Sequence, residues 1–258
     1  MTGPSRPLAL VVCLLVAAAP LRAADVSVAA AADLKFAFDA ALVDFKKERP
    51  DVDVKVTYGS SGNFFSQLSN GAPFDVFLSA DAEYPRKLEE AGLVLEGTRF
   101  LYAVGRIVLF VPLASPLEIE KAGIKALADS RVRHVAIANP RHAPYGRAAE
   151  AAMRSLGVYD VVKEKLVLGE NVAQTAQFVE TGSADAGIIA LGLALALELR
   201  TTGRFVEIPL TSYPEIEQGG AILKSTKEPE AAHALRMFLL GPKARETLKR
   251  FGFFIPDA

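Results

Sequence analysis

A chain of 258 residues, 51% hydrophobic and 23% charged, carries enough apolar material for one or two folded domains and is not a disordered polymer. Its 29 basic and 30 acidic residues nearly cancel, which excludes the basic field of a nucleic-acid binder. One cysteine and three histidines exclude a disulfide framework and a cysteine- or histidine-rich metal site.

Residues 1–23 read as a secretory signal peptide. Arg6 sits in a short n-region, residues 8–19 form an uncharged run of twelve, Pro20 breaks it, and Ala23 offers a small residue for cleavage. The run is too short to span a bilayer. Removing it takes away Arg6, Arg22 and Cys13 and leaves 27 basic against 30 acidic residues, a net charge of −3. Leu10-Val11-Val12 lacks the small residue expected before a lipidated cysteine. The expected product is a soluble, cysteine-free, periplasmic protein beginning near Ala24.

Strand and helix then alternate. Residues 26–31 (VSVAAA) suit a buried parallel strand. Asp33 opens a helix to about Glu48, with Leu34, Phe38, Leu42 and Phe45 at helical spacing and Pro50 as its stop. Residues 51–58 alternate with period two as a strand. The loop Gly59-Ser60-Ser61-Gly62-Asn63 leads into a short helix through Leu68. Residues 75–79 (DVFLS) form a strand and 82–91 a charged helix with Pro85 in its first turn. A strand at 106–112, a helix at 119–129 and a strand at 134–138 follow. The turn at 139–146 (NPRHAPYG) feeds a helix at 147–156. A helix near 159–165, a short strand at 165–168, a helix at 172–181 and a strand at 185–190 come next. Strands at 205–208 and 221–223 and helices at 228–240 and 242–251 close the chain. This alternation predicts α/β sheets with helices on both faces and ligands at the carboxyl ends of the strands.

Four strand-to-helix junctions carry chemistry. They are Ala31-Ala32-Asp33-Leu34, Tyr58-Gly-Ser-Ser-Gly-Asn63, Ala143-Pro144-Tyr145-Gly146 and Gly169-Glu170-Asn171-Val172. Each places small, hydroxyl or capping residues where the first N–H groups of a helix lack partners. The serine loop lacks the Lys-Ser/Thr ending of a nucleotide P-loop. One such terminus is an ordinary cap. Four in one α/β chain form a cage of N–H donors that suits a small anion without lysine or arginine.

The segments AAAADL (29–34), YGSSGN (58–63), GAPFDVFLSAD (71–81), NPRHAPYG (139–146), GENV (169–172), ADAGIIA (184–190) and the ending around Gly241-Pro-Lys and Lys249-Arg-Phe-Gly-Phe253 resemble, in order, the periplasmic molybdate-binding proteins of ABC importers. The resemblance implies a class II periplasmic-binding fold, α/β and two-lobed. Each lobe would be a mixed, mainly parallel sheet flanked by helices, with two crossover hinge segments. Lobe one would hold 24–106 plus 213–258, and lobe two 107–212. It implies a receptor that captures molybdate, and tungstate with it, and delivers it to a membrane permease with its ATPase. Another oxyanion (sulfate, thiosulfate or phosphate-like) is the alternative. The family is monomeric and uses no cofactor; molybdenum would be held as its oxyanion. The implied ligand set maps onto Asp33, Ser61, Tyr145 and Val172, with Tyr145 and Val172 acting through main-chain N–H, so that their side chains are nearly free. Ser60 and Asn63 are additional candidate donors.

Two positions depart from the family pattern. Asp33 stands where serine is usual, and Ala190 where a tyrosine hydroxyl is expected. The Asp33 carboxyl either turns away to cap its helix or is protonated and donates; capping is the expectation. Asn63 would offset the lost hydroxyl. An enzyme reading finds little support: there is no Gly-x-Ser-x-Gly elbow and no thiol outside the leader, and His142 reads as a loop residue. Without a DNA-binding segment, an effector-sensing module is also disfavoured.

Overall fold

The structure, a computed structural model, describes residues 23–256. Residues 1–22, which hold nearly all of the expected signal peptide, lie outside it. The chain runs β1 (Ala24–Ala31), α1 (Lys35–Glu48), β2 (Val52–Gly59), α2 (Ser61–Ser69), β3 (Val76–Ser79), α3 (Glu83–Glu90) and β4 (Phe100–Gly105). It continues through β5 (Ile107–Pro112), α4 (Ile119–Ala122), β6 (Val135–Ala138), α5 (Pro144–Ser155), α6 (Tyr159–Val162), β7 (Leu166–Gly169) and α7 (Val172–Glu180). Then come β8 (Ala186–Ala190), α8 (Leu191–Ala194), α9 (Leu197–Arg200), β9 (Gly203–Glu207), β10 (Ile216–Ile222), α10 (Pro229–Leu240) and α11 (Pro242–Arg250).

Two five-stranded sheets result, ordered β2-β1-β3-β10-β4 and β7-β6-β8-β5-β9. In the first, β1 runs parallel to β2 and β3 while β10 is antiparallel to β3 and β4. In the second, β6 is parallel to β7 and β8 while β5 is antiparallel to β8 and β9. The chain passes between sheets at Arg106 and again between Glu207 and Ile216. This is the two-lobed, mixed-sheet α/β architecture expected.

The apolar pattern explains the layers. Strand β1 is covered on both faces, so its VSVAAA run needs no polar alternation. On one face Val26 and Val28 meet Phe38 and Phe45 of α1 and Leu235 and Phe238 of α10. Rings Phe45 and Phe238 lie 5.2 Å apart. On the other face Ala29 and Phe77 meet Phe64 of α2 and Leu88 of α3. The second lobe packs β5, β6 and β8 against Ala149 and Met153 of α5 and Val179 of α7. Ala31, Ala32 and Ala80 belong to that second core although they lie at the ends of β1 and β3 of the first sheet. Small side chains there let the two lobes touch.

Several elements differ from the sequence reading. Strand β4 was not expected, because it follows the loop after α3 directly and is one residue from β5. Strand β10 begins five residues earlier than the apolar run 221–223, since Glu217, Gln218, Gly219 and Gly220 mask it; a bulge falls between Gln218 and Gly219. The helix expected over 119–129 is one α turn followed by a 3-10 segment at Gly123–Ala128. Helix α5 starts at Pro144, which its fixed φ and missing N–H suit. Tyr145 therefore sits in its first turn.

Candidate functional site

Asp33, Ser61, Tyr145 and Val172 line one small cleft between the lobes, together with Ala31, Ala32, Ser60, Ala80, Pro144 and Asn171. Each of the four occupies the opening of a helix: the 3-10 turn Ala32–Leu34 that runs into α1, then α2, α5 and α7. Their N–H groups lie where no intrahelical acceptor exists, and the four helix ends bring positive potential to one point. Asn171 caps α7, its side chain accepting from the N–H groups of Ala173 and Gln174 at 3.0 Å, so the Val172 N–H is left for the cavity. Ser61 is 1% exposed. Its Oγ accepts the Ala80 N–H at 2.9 Å, which fixes the hydroxyl and leaves its proton to donate. No lysine, arginine or histidine lines the cavity. Apart from the Asp33 carboxyl, the arrangement offers donors, the chemistry of a fully deprotonated oxyanion.

Asp33 does not cap. Neither its own turn nor α1 has a side-chain cap bond. The reason is position: Asp33 is the second residue of the 3-10 turn, and Leu34 is the residue that precedes α1. Its carboxyl instead turns into the interlobe core, where Oδ2 accepts from the Tyr145 hydroxyl at 2.9 Å and from Gln218 Nε2 at 2.6 Å. Gln218 Nε2 also reaches the Tyr145 oxygen at 3.0 Å. Burial raises the Asp33 pKa from 3.8 to about 6, against the lowering pull of Gln218, Tyr145 and its own backbone. Burial and the adjacent Asp33 carboxylate push the Tyr145 phenol upward, so it remains a donor. The Tyr145 side chain is thus not free, contrary to the sequence reading. An anion placed on the Asp33 N–H would stand about 5 Å from the same residue's carboxyl. At an effective dielectric of about 20, an ionised carboxylate would repel a dianion there by roughly 6 kcal/mol.

Ser60 and Asn63 do other work than anion donation. The Ser60 hydroxyl donates to the His142 carbonyl at 2.7 Å, and the Gly62 N–H donates to the same oxygen at 2.9 Å. The Asn63 amide donates to Glu170 across the cleft, and Asn63 is absent from the cavity lining. Arg147 reaches from α5 to Asp81 and, at 3.4 Å, to the Tyr84 hydroxyl. These contacts latch the two lobes together. His142 Nδ1 lies 3.0 Å from Ser60 Oγ and its Nε2 lies 3.9 Å from Glu170. The serine proton is committed to a carbonyl and the carboxylate is beyond hydrogen-bond reach, so the trio is a latch and not an activated nucleophile. Ala190, where the family tyrosine was expected, is buried at the end of β8 opposite Ile107. Gln218 was missed by sequence reasoning. A glutamine within a strand-length stretch beside two glycines was its only signal.

Arg147 contributes to closure without lining the cavity, and its pair with Asp81 is partly solvated. Arg147→Ala is therefore expected to weaken anion affinity by less than about tenfold, with an unchanged melting temperature of the free protein. Titration calorimetry checks this. A loss above a hundredfold would mean that Arg147 reaches the anion.

Among the described residues there is no helix long and apolar enough to cross a membrane and no cluster of His, Cys, Asp or Glu arranged for a metal ion. Residues 26–254 match the family model described as bacterial extracellular solute-binding protein. The chain is 40% identical over 232 residues to the molybdate-binding protein ModA of Azotobacter vinelandii, with 90% of each chain covered. It is 39% identical over 206 residues to that of Rhodobacter capsulatus, covering 80% of this chain and 79% of that one. The solved structure of an Azotobacter vinelandii periplasmic molybdate-binding protein superposes with a TM-score of 0.84 at 34% identity, over 90% of this chain and all of the other.

Proposed function

Because this chain belongs to the bacterial extracellular solute-binding protein family, we propose that it captures molybdate in its interlobe cleft and delivers it to an ABC permease and its ATPase. The observation that carries this reading is the convergence of four helix openings from both lobes on one cavity that no cationic side chain lines. The Asp33, Ser61, Tyr145 and Val172 N–H groups and the Ser61 hydroxyl are assigned to the oxyanion. A tetrahedral dianion accepts at every oxygen, so a cage of donors matches it, and the ordering of the donors is prepaid by folding. Sulfate has the same charge and shape; its rejection falls to cavity size, which tungstate passes as molybdate does.

Closure follows from the geometry. The anion bridges donors on the two lobes, and the His142 and Arg147 contacts form as they meet. A closed monomer then presents a joint surface of both lobes to the permease, and an empty one does not. The protein is a carrier of its ligand and does not transform it. The relatives at 40% and 39% identity are likewise named for binding.

Titration calorimetry of the dialysed protein tests the reading. Tight one-to-one binding of molybdate and tungstate, with sulfate weaker by at least about a hundredfold, is expected. The sequence contains no tryptophan, so heat is a surer signal than indole fluorescence. Silence with molybdate and binding of sulfate, thiosulfate or phosphate would reassign the cargo.

A further inference from the structure

The carboxyl of Asp33 sits beside an anion cavity with nothing cationic to offset it. Asp33 is 1% exposed. Around it stand Tyr145 from α5, Gln218 from β10 and Tyr102 from β4, whose hydroxyl donates to the Ser79 carbonyl at 3.1 Å. Helices α7 and α8 and strand β2 pack against the same turn. Helix α8 has no titratable residue and α7 has only Glu180, at its far end. On β2, Lys55 pairs with Asp25 and Tyr58 donates to Asp39 of α1, while Asp53 lies near Lys46. Lys35, at the start of α1, lies over the rings of Phe36 and Tyr58. None of these elements turns a base toward the carboxyl.

The hydrogen inventory of this cluster is short by one. Four acceptors, Asp33 Oδ1, Asp33 Oδ2, Gln218 Oε1 and the Tyr145 oxygen, meet three hydrogens, one on the Tyr145 hydroxyl and two on the Gln218 amide, and all three are spent on Oδ2 and the Tyr145 oxygen. Asp33 Oδ1 and Gln218 Oε1 are left buried without a partner. Two buried orphan acceptors are costly, and a single proton on the carboxyl converts Asp33 Oδ1 from an unpaired acceptor into a donor.

We infer that this chain binds its oxyanion together with one proton taken from solvent and held on Asp33. The inference rests on the oxyanion-receptor reading above. A neutral carboxyl and a dianion share the site without repulsion, whereas an ionised one opposes closure. Burial has already raised the group's pKa to about 6. The anion on the adjacent N–H moves it further. By linkage, affinity is greatest below the Asp33 value in the free protein. It falls by up to about tenfold per pH unit above that, until the value in the complex is reached.

Calorimetry with molybdate at pH 7.5, in buffers of different ionisation enthalpy, reads the proton directly. The parent protein is expected to take up close to one proton per anion, and Asp33→Asn, a permanently neutral isostere, close to none. The variant should bind at least about tenfold more tightly than the parent at pH 8, and the two should converge toward pH 5.5. Melting temperature and circular dichroism check that the variant folds; Asp33→Ser serves as a second neutral replacement. Tight parental binding with no proton uptake and no pH dependence overturns the inference and leaves the receptor intact. Phosphate binding that is lost in Asp33→Asn, with no uptake from buffer, overturns it too, since the ligand would then bring the proton and Asp33 accept it. Failure of every oxyanion to bind the folded protein overturns the receptor reading itself, and this inference with it.

Discussion

Gly62→Ala is expected to abolish tight anion capture while leaving the free protein as stable as its parent or slightly more so. Gly62 is the second residue of α2, and its φ is not positive, so alanine fits the backbone of an open lobe. Within a helix alanine is favoured over glycine by up to about 1 kcal/mol. In the closed state the new Cβ stands 2.4 Å from the His142 carbonyl oxygen and 2.9 Å from the His142 Cα; the Tyr84 hydroxyl, 2.9 Å away within the same lobe, is the tip of a long side chain and can turn aside. His142 lies in the other lobe, and its backbone cannot swing aside as a long side chain could. The lobes must stop short, which forfeits the Gly62 and Ser60 hydrogen bonds to His142 and pulls the Tyr145 and Val172 N–H groups away from the anion. At about 1 kcal/mol for each lost bond, affinity should fall by a hundredfold or more. Calorimetry and thermal melting separate the two effects, and small-angle scattering should show no ligand-induced compaction. Near-parental affinity would mean that closure leaves more room at this contact than the structure gives it.

Gly146→Ala makes the opposite test, since its clash lies within one lobe. A Cβ there stands 2.0 Å from the Ala138 carbonyl oxygen, 2.7 Å from its carbon and 2.9 Å from the Pro140 nitrogen. Helix α5 can relieve this only by lifting off the end of β6. Overpacking against backbone costs about 3 kcal/mol or more, well above the helix-propensity gain of alanine. The free protein should melt several degrees lower, and anion affinity should fall as well because the Tyr145 N–H moves with the helix. A variant that melts like the parent would show that α5 has slack at its first turn. The same methyl thus separates two failures: at Gly62 the protein folds and cannot close, and at Gly146 it closes poorly because it folds poorly.

The strand–helix alternation and the four N-terminal junctions were legible in the sequence because each has a local cause. An apolar run such as VSVAAA needs two covered faces, and Pro144 or Asn171 starts a helix wherever the chain leads. The structure brings those four junctions to one cavity. Long-range contacts were not legible. Strand β4 exists because β10 supplies its hydrogen-bond partner. The path of the Asp33 carboxyl depends on Tyr145 and Gln218, residues 112 and 185 positions away. Asn63 reads as an anion donor until Glu170 is seen opposite it. Capping was the local answer for Asp33, and a tertiary contact displaced it.

The position of β10 also sets an order of assembly. Among the described residues, β3 and β4 meet only through β10, the strand that arrives last. The sheet that contains the chain's first strand therefore cannot close until about residue 222 is available, whereas β5 through β9 are contiguous within residues 107–207. Loop-closure entropy favours the contiguous lobe forming first. A chain threaded through a membrane from its amino end would carry β4 and one edge of β3 without their β10 partner until the tail emerged. The same delay keeps the first lobe, which supplies Asp33 and Ser61, from reaching its native form before the second lobe can be built to meet it.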